Sequence, residues 1–137
     1  MAYWLFKSEP GSWSWGDQMK KGVEGWDGVR NHQACNNMRA MKIGDKGFFY
    51  HSVNERSIVG VVEVVKEFHP DPTDESGKFG MVAIKALYPV GKPISLKEIK
   101  ADGRFEDFAL IRQSRLSVVP VTDAYWKLLC AMMETKA

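Results

Sequence analysis

Cysteine and long apolar runs are scarce in this chain, and their scarcity sets the first limits. Its 137 residues include two cysteines, Cys35 and Cys130. One follows a polar run and the other lies inside an amphipathic helical pattern. With no export signal ahead of them, the sequence predicts free thiols in a reducing compartment rather than a disulfide. No stretch stays apolar for the roughly 18 residues that a membrane helix needs, so a helical span is excluded. Met1 to Phe6 is short and aromatic, and Lys7 and Ser8 follow at once. It lacks the length and flanks of a signal peptide and reads as a first strand. The expectation is a cytoplasmic protein, or a nuclear one in a eukaryote, with no membrane partner.

Catalytic signatures are equally sparse. There are three histidines, His32, His51 and His69. His32 and Cys35 have ligand-like spacing, but the second pair that a zinc site needs is missing, so no metal is expected. There is no Gly-x-Ser-x-Gly elbow, and His51 and Ser52 are neighbours in a strand, where side chains point to opposite faces. No phosphate-cradling Gly-Lys-Ser/Thr loop occurs, and Gly22, Gly25 and Gly28 fit no dinucleotide fingerprint. Asp27 sits in a loop, where an aspartate most often shapes a turn. The sequence therefore predicts neither a catalytic centre nor a cofactor. The formal net charge of +2 is too small to identify a polyanion partner. Both ends are mildly basic and the middle mildly acidic. That pattern fits an ordinary mixed surface, or a weakly basic face if the ends meet.

What the chain does have is aromatic residues. Four of its five tryptophans, Trp4, Trp13, Trp15 and Trp26, fall near the N-terminus. An indole needs a partner for its ring nitrogen, so such a cluster marks a packed corner or a stacking pocket. Strand patterns cover Tyr3 to Lys7, Lys46 to Ser52, Ser57 to Glu67, Met81 to Tyr88 and Leu116 to Val121. Helices are expected after Ser14 (to Gly22), after Asn31 (to about Met41), from Ser95 with its capping-box partner Glu98, and after Thr122 or Asp123. The last carries Trp126, Leu129, Cys130 and Met133 at helical spacing. The loop Pro70 to Gly77 is expected to be exposed. Gly60, inside a strand, predicts a bulge or curl. Short helices between strands favour an α+β fold, a mixed β-barrel of about five to six strands with short flanking helices. At this length it forms a single domain over 1–137.

Four segments mix flat or apolar side chains with hydrogen-bonding groups: Trp4-Leu5-Phe6-Lys7-Ser8-Glu9-Pro10, Trp26-Asp27-Gly28-Val29-Arg30-Asn31-His32-Gln33-Ala34, Phe49-Tyr50-His51-Ser52 and Arg115-Leu116-Ser117-Val118. The mixture suits a nucleobase, with a ring for its face and donors and acceptors for its edge. Each candidate also has a plain structural reading. Trp26 stacks on a base or packs over the barrel mouth. Lys7 and Ser8 open a turn that closes itself or contacts ligand. Asn31 caps its helix or bonds a base edge, as the backbone of Gly28 and Val29 also can. Arg30 meets phosphate or solvent. Tyr50 and Ser52 share a strand face, and His51 needs a bulge to join them. Arg115, which shares a face with Ser117, binds phosphate or an acid. Trp4, Phe6, Trp13 and Trp15 read as structural.

With these motifs in this order, the sequence closely resembles the EVE domain family over essentially its whole length. Met41-Lys42-Ile43-Gly44-Asp45 and Pro70-Asp71-Pro72-Thr73 also look like that family. The resemblance implies a PUA-like fold, related to the YTH readers of methylated adenine. It implies a module that accepts a flipped, modified base, a modified cytosine in DNA or a modified base in RNA; with no catalytic centre in the sequence, binding without catalysis is expected, and a monomer is the expected form. The chain departs from the family pattern at Cys35, where an arginine is usual, at Met81, where a tryptophan is frequent, and at Lys85, where an acid stands. The other functions weighed are a nucleotide-modifying enzyme using His51 or Asp27, and a small-molecule or protein-binding module using the same cavity.

Overall fold

The computed structural model describes residues 1–53 and 55–137. Alternating and β-branched runs give β1 (Tyr3–Ser8), β3 (Lys46–His51), β4 (Ser57–Pro70), β5 (Gly80–Ser95) and β6 (Val118–Val121), with a short β2 (Val23–Gly25) between helices. They form one sheet in the order β2-β5-β4-β3-β1-β6. β1 runs parallel to β3, with Phe6 opposite Phe49 and Ser8 opposite His51. The other pairings are antiparallel. Among the described residues no ladder joins β2 to β6, so the barrel is not closed by hydrogen bonds. The helix α2 (His32–Ala40) instead spans the curl, packing against β4 and β5 and against β6 at the far edge. Its Asn37 side chain donates to the Val118 carbonyl at 2.8 Å.

Helix boundaries follow the expected caps. Ser14 and Asp17 form a reciprocal capping box at α1 (Trp15–Lys21), and Ser95 and Glu98 form another at α3 (Leu96–Ala101). Thr122 caps α5 (Asp123–Met132). A 3-10 turn, Gly103–Phe105, and a single helical turn, α4 (Ala109–Arg112), were not legible; neither is long enough to show a period. β5 continues past Tyr88 through Pro89 and Pro93. Prolines are tolerated there because β2 covers only Ala83 to Lys85, leaving that side of β5 without a strand partner.

Both sheet faces are buried. On one, Trp126 of α5 stacks on Phe48, with centroids 4.0 Å apart, and on Tyr3 at 4.4 Å. On the other, Phe6 and Phe49 meet Trp26 edge-on at 5.5 and 5.8 Å. Such edge contacts contribute about 0.5–1.5 kcal/mol each beyond area burial. Gly60 fulfils the expected bulge, since β4 shifts register against both neighbours beside it. It is also where Trp15 lies on the sheet: a Cβ there would meet the indole ring at 2.5 Å.

Candidate functional site

A cavity of about 480 Å³ opens beside the end of β1, where Lys7, Ser8 and Glu9 face the segment from Glu24 to Arg30. That volume lies in the range of small-ligand sites. Ser12, Trp13 and Ser117 complete the lining. Trp26 is 8% exposed, its ring fixed between Phe6 and Phe49 and its remaining surface turned to the cavity. Its backbone N–H donates to the Val82 carbonyl at 2.7 Å, which anchors the start of the loop to β5.

The rest of the loop is held by a residue outside the cavity. Gly28 has φ +75°, a left-handed conformation that glycine adopts without strain. Its N–H donates to Asp71 Oδ2 at 2.8 Å. Arg30 Nη1 donates to the same oxygen at 3.1 Å, and Arg30 Nη2 to Thr73 Oγ1 at 3.0 Å. Thr73 donates to Asp71 Oδ1 through its N–H at 2.8 Å and its hydroxyl at 2.6 Å. Burial opposes ionisation of Asp71, but the bonds from Thr73, Gly28 and Arg30 outweigh it and hold the carboxyl well below the usual carboxylate range. The loop expected to be simply exposed thus contributes a buried anchor.

Several proposed side chains meet in the cavity: Lys7, Ser8, Trp26, Gly28, Val29, Arg30 and Ser117 all line it. Lys7 Nζ donates to the Ser114 carbonyl at 2.8 Å, and burial lowers its pKa. Ser8 is buried, and its hydroxyl donates to the Trp13 carbonyl. The remaining candidates lie elsewhere. Asn31 performs its capping role, accepting from the Ala34 N–H at 2.8 Å. Tyr50 is buried at 3% exposure, and alternation along β3 puts it on the Phe48 side, opposite the ring of Phe49 that meets Trp26. Tyr50 and Ser52 therefore do not form the expected pocket wall. His51, on the Phe49 side, is spent on Trp15: its Nε2 accepts the Trp15 N–H at 2.9 Å, and its Nδ1 lies 3.4 Å from Glu55. Ser52 donates its backbone N–H to the Ser8 carbonyl at 2.9 Å. Arg115 is exposed, two residues from Ser117 and outside the lining.

The cavity also holds Glu9, Ser12, Glu24 and Gly25, to which sequence reasoning assigned no role, together with Trp13, expected to be structural, and Asp27, weighed only as a turn former or a catalytic base. Trp13 is steered by Gln18, a fully buried amide that accepts from the indole N–H at 2.9 Å and donates to carbonyls of Gly22 and Ile84. A lone glutamine in an amphipathic helix gives no hint of this. Of the three departures from the family pattern, Lys85 is exposed on β5 opposite Val23, while Cys35 and Met81 sit behind the wall. Cys35 is buried with Sγ near the Val29 carbonyl at 3.8 Å, and the Met81 side chain lies against Gly25. Among the described residues no cluster of three or more His, Cys, Asp or Glu side chains is placed to hold a metal.

Residues 2–132 match the EVE domain family. The chain belongs to the EVE domain family. It is 34% identical over 168 aligned positions to thymocyte nuclear protein 1 of Rattus norvegicus, covering 98% of this chain and 74% of the rat protein. A protein of Rhodopseudomonas palustris solved by NMR is 52% identical, with a TM-score of 0.93 over 98% of this chain and 94% of that one. The crystal structure of human THYN1 in complex with DNA containing 5-methylcytosine superposes with a TM-score of 0.93 at 30% identity, covering 100% of both chains. The α+β, PUA-like architecture that the resemblance implied is thus the architecture of the fold, with the barrel left open between β2 and β6.

Proposed function

We propose that this protein is a binding module that takes a modified cytosine, flipped out of DNA, into the Trp26 cavity, and that it carries out no chemistry on the base. The observation that carries this reading is the convergence of Lys7, Ser8, Trp26, Gly28, Val29 and Ser117 on one cavity of ligand size, in a chain that superposes on human THYN1 bound to 5-methylcytosine DNA. Trp26 supplies a flat apolar surface, and Ser117 with the loop backbone supplies polar groups for a base edge. Lys7 brings positive charge to the mouth. The absence of a role for His51 in the cavity supports binding over catalysis, because its acceptor nitrogen is already occupied by Trp15.

Flipping a base costs a few kcal/mol, and stacking returns about 1–3 kcal/mol per base. With little net charge to add, an affinity on the order of micromolar is expected. The test is fluorescence anisotropy with DNA and RNA oligonucleotides that differ in one base, cytosine or 5-methylcytosine, at two salt concentrations. Tighter binding of methylated DNA at both salts is the expected result. Equal affinity for all four oligonucleotides would overturn the reading.

A further inference from the structure

A residue that binds the cavity loop does not itself line the cavity. Asp71 is buried, 3% exposed, and its two carboxylate oxygens accept four hydrogen bonds from two separate segments. One oxygen serves Gly28 and Arg30 on the cavity loop. The other serves Thr73 on its own loop. That second loop is itself tightly organised: Asp74 accepts the N–H groups of Ser76 and Phe79 at 3.0 and 2.7 Å, and the Ser76 hydroxyl at 2.6 Å. The Phe79 ring faces the Arg30 guanidinium at 5.6 Å and lies 4.9 Å from His32. Arg30 is therefore engaged on three sides by protein groups. Its side chain stays 40% exposed, but a donor on each Nη is already committed to Asp71 and Thr73.

We infer that Asp71, Thr73 and Arg30 form a clamp that fixes the Trp26–Asn31 loop in its base-accepting shape, so that Asp71 and Arg30 are positioning residues for recognition and Arg30 serves the loop, not nucleic-acid phosphate. This rests on the proposed base-binding reading for its functional part, while the clamp itself belongs to the free protein. The physical reason is preorganisation. A loop that is already ordered loses less conformational freedom on binding, and the N–H bond to Asp71 selects the left-handed state among those open to Gly28. Asparagine cannot replace Asp71, because its single carbonyl oxygen reaches one set of donors and its NH₂ then faces the N–H of the other.

Three variants test this, Asp71→Asn, Thr73→Val and Arg30→Ala, each with two readouts. The first is amide hydrogen exchange of Gly28 in the free protein, followed by NMR. The second is the affinity ratio for 5-methylcytosine over cytosine DNA, with its salt dependence. Asp71→Asn is expected to speed Gly28 exchange by about tenfold and to cut the ratio toward one. Thr73→Val removes only a hydroxyl and keeps the N–H to Asp71, so it tests the clamp if Asp71→Asn does not fold. It is expected to act in the same direction by about threefold. Arg30→Ala is expected to lower the ratio while leaving the slope of log affinity against log salt unchanged. A slope shallower by about one unit would instead make Arg30 a phosphate ligand and overturn its positioning role. Wild-type Gly28 exchange in folded Asp71→Asn or Thr73→Val would overturn the clamp, and faster exchange with an unaltered ratio would overturn its part in recognition. If the wild-type protein shows no preference for methylated DNA, the base-binding reading fails, and Gly28 exchange still decides the clamp.

Discussion

The imidazole of His51 accepts the backbone N–H of Trp15 at 2.9 Å, tying the end of β3 to the first residue of α1. A ring nitrogen that accepts carries a lone pair, so the proton of the neutral ring sits on Nδ1, toward Glu55 at 3.4 Å. The first turn of a helix leaves N–H groups without internal partners, and this one is buried. His51→Ala is therefore expected to destabilise the fold by about 1–3 kcal/mol, through the orphaned Trp15 amide. Chemical denaturation measures it. The preference for methylated DNA should survive wherever the variant is folded, since His51 lies outside the cavity. A lost preference in a folded variant would place the ring in recognition after all.

How much of this could be read in advance depends on the range of each interaction. The capping boxes Ser14–Asp17 and Ser95–Glu98 are local, and they appear where the sequence put them. Trp26 and Ser8 were legible because their motifs are contiguous and mix rings with polar groups. Asn31 carried two readings, and its spacing to Ala34 satisfied the capping one. Tyr50 and His51 went astray for a physical reason. Alternation tells which residues share a face, but both faces of β3 are buried, so it cannot tell which face turns to the cavity. Asp71 was hidden for another reason. An aspartate between prolines is the mark of an exposed turn, and only the tertiary approach of Gly28, 43 positions earlier, gives it a buried role.

Trp26 bears on both stability and recognition. Its ring is packed edge-on between Phe6 and Phe49 and is largely buried. Truncation to alanine should cost about 3–5 kcal/mol of stability, so a fully intact fold is not expected in Trp26→Ala. Trp26→Phe retains a ring for both duties. It should lose about 1 kcal/mol of affinity for methylated DNA while staying folded. Paired thermal melts and anisotropy titrations separate the two effects. Unchanged affinity and preference in folded Trp26→Ala would move recognition to another wall, Trp13 being the next ring in the cavity.

Gly60 tests the packing behind the site. A Cβ built there meets Trp15 ring atoms at 2.5 Å, closer than carbon atoms approach, and the strand cannot retreat because Phe49 pairs with it. Gly60→Ala is expected to destabilise by about 1–3 kcal/mol. Trp15→Phe in the same chain should recover part of that loss, since the smaller ring vacates the space. Additive losses in the double variant would show that the two sites do not touch.

Arg115 is exposed and lies two residues before Ser117, which lines the cavity. If the DNA backbone passes there, Arg115→Ala should weaken cytosine and 5-methylcytosine oligonucleotides equally. It should also make the salt slope shallower by about one unit. A selective loss for the methylated oligonucleotide would mean that Arg115 reaches the base instead.

Asp71 makes the clamp sensitive to acid, in a direction its environment fixes. Burial raises its pKa, but the hydrogen bonds from Thr73, Gly28 and Arg30 lower it more, so the folded value lies well below the unfolded one, about 3.9. Near and below that unfolded value, the unfolded chain binds a proton at this site that the folded chain still refuses. Stability therefore rises with pH through that range. The contribution is fully present above about pH 5 and is lost progressively as acid titrates the folded carboxyl. Asp17, Asp74 and Asp102 are shifted in the same direction, so the acid sensitivity of the wild-type protein alone does not isolate Asp71. The difference between wild type and Asp71→Asn does, because the other three are common to both. That difference in unfolding free energy, measured by denaturation from neutral pH down to about pH 2, is expected to be largest at neutrality and to narrow as the pH falls through the range below 5. A difference that stays constant across the whole range would mean that the charge of Asp71 adds nothing to what its hydrogen-bonding shape supplies. The clamp would then hold by geometry alone.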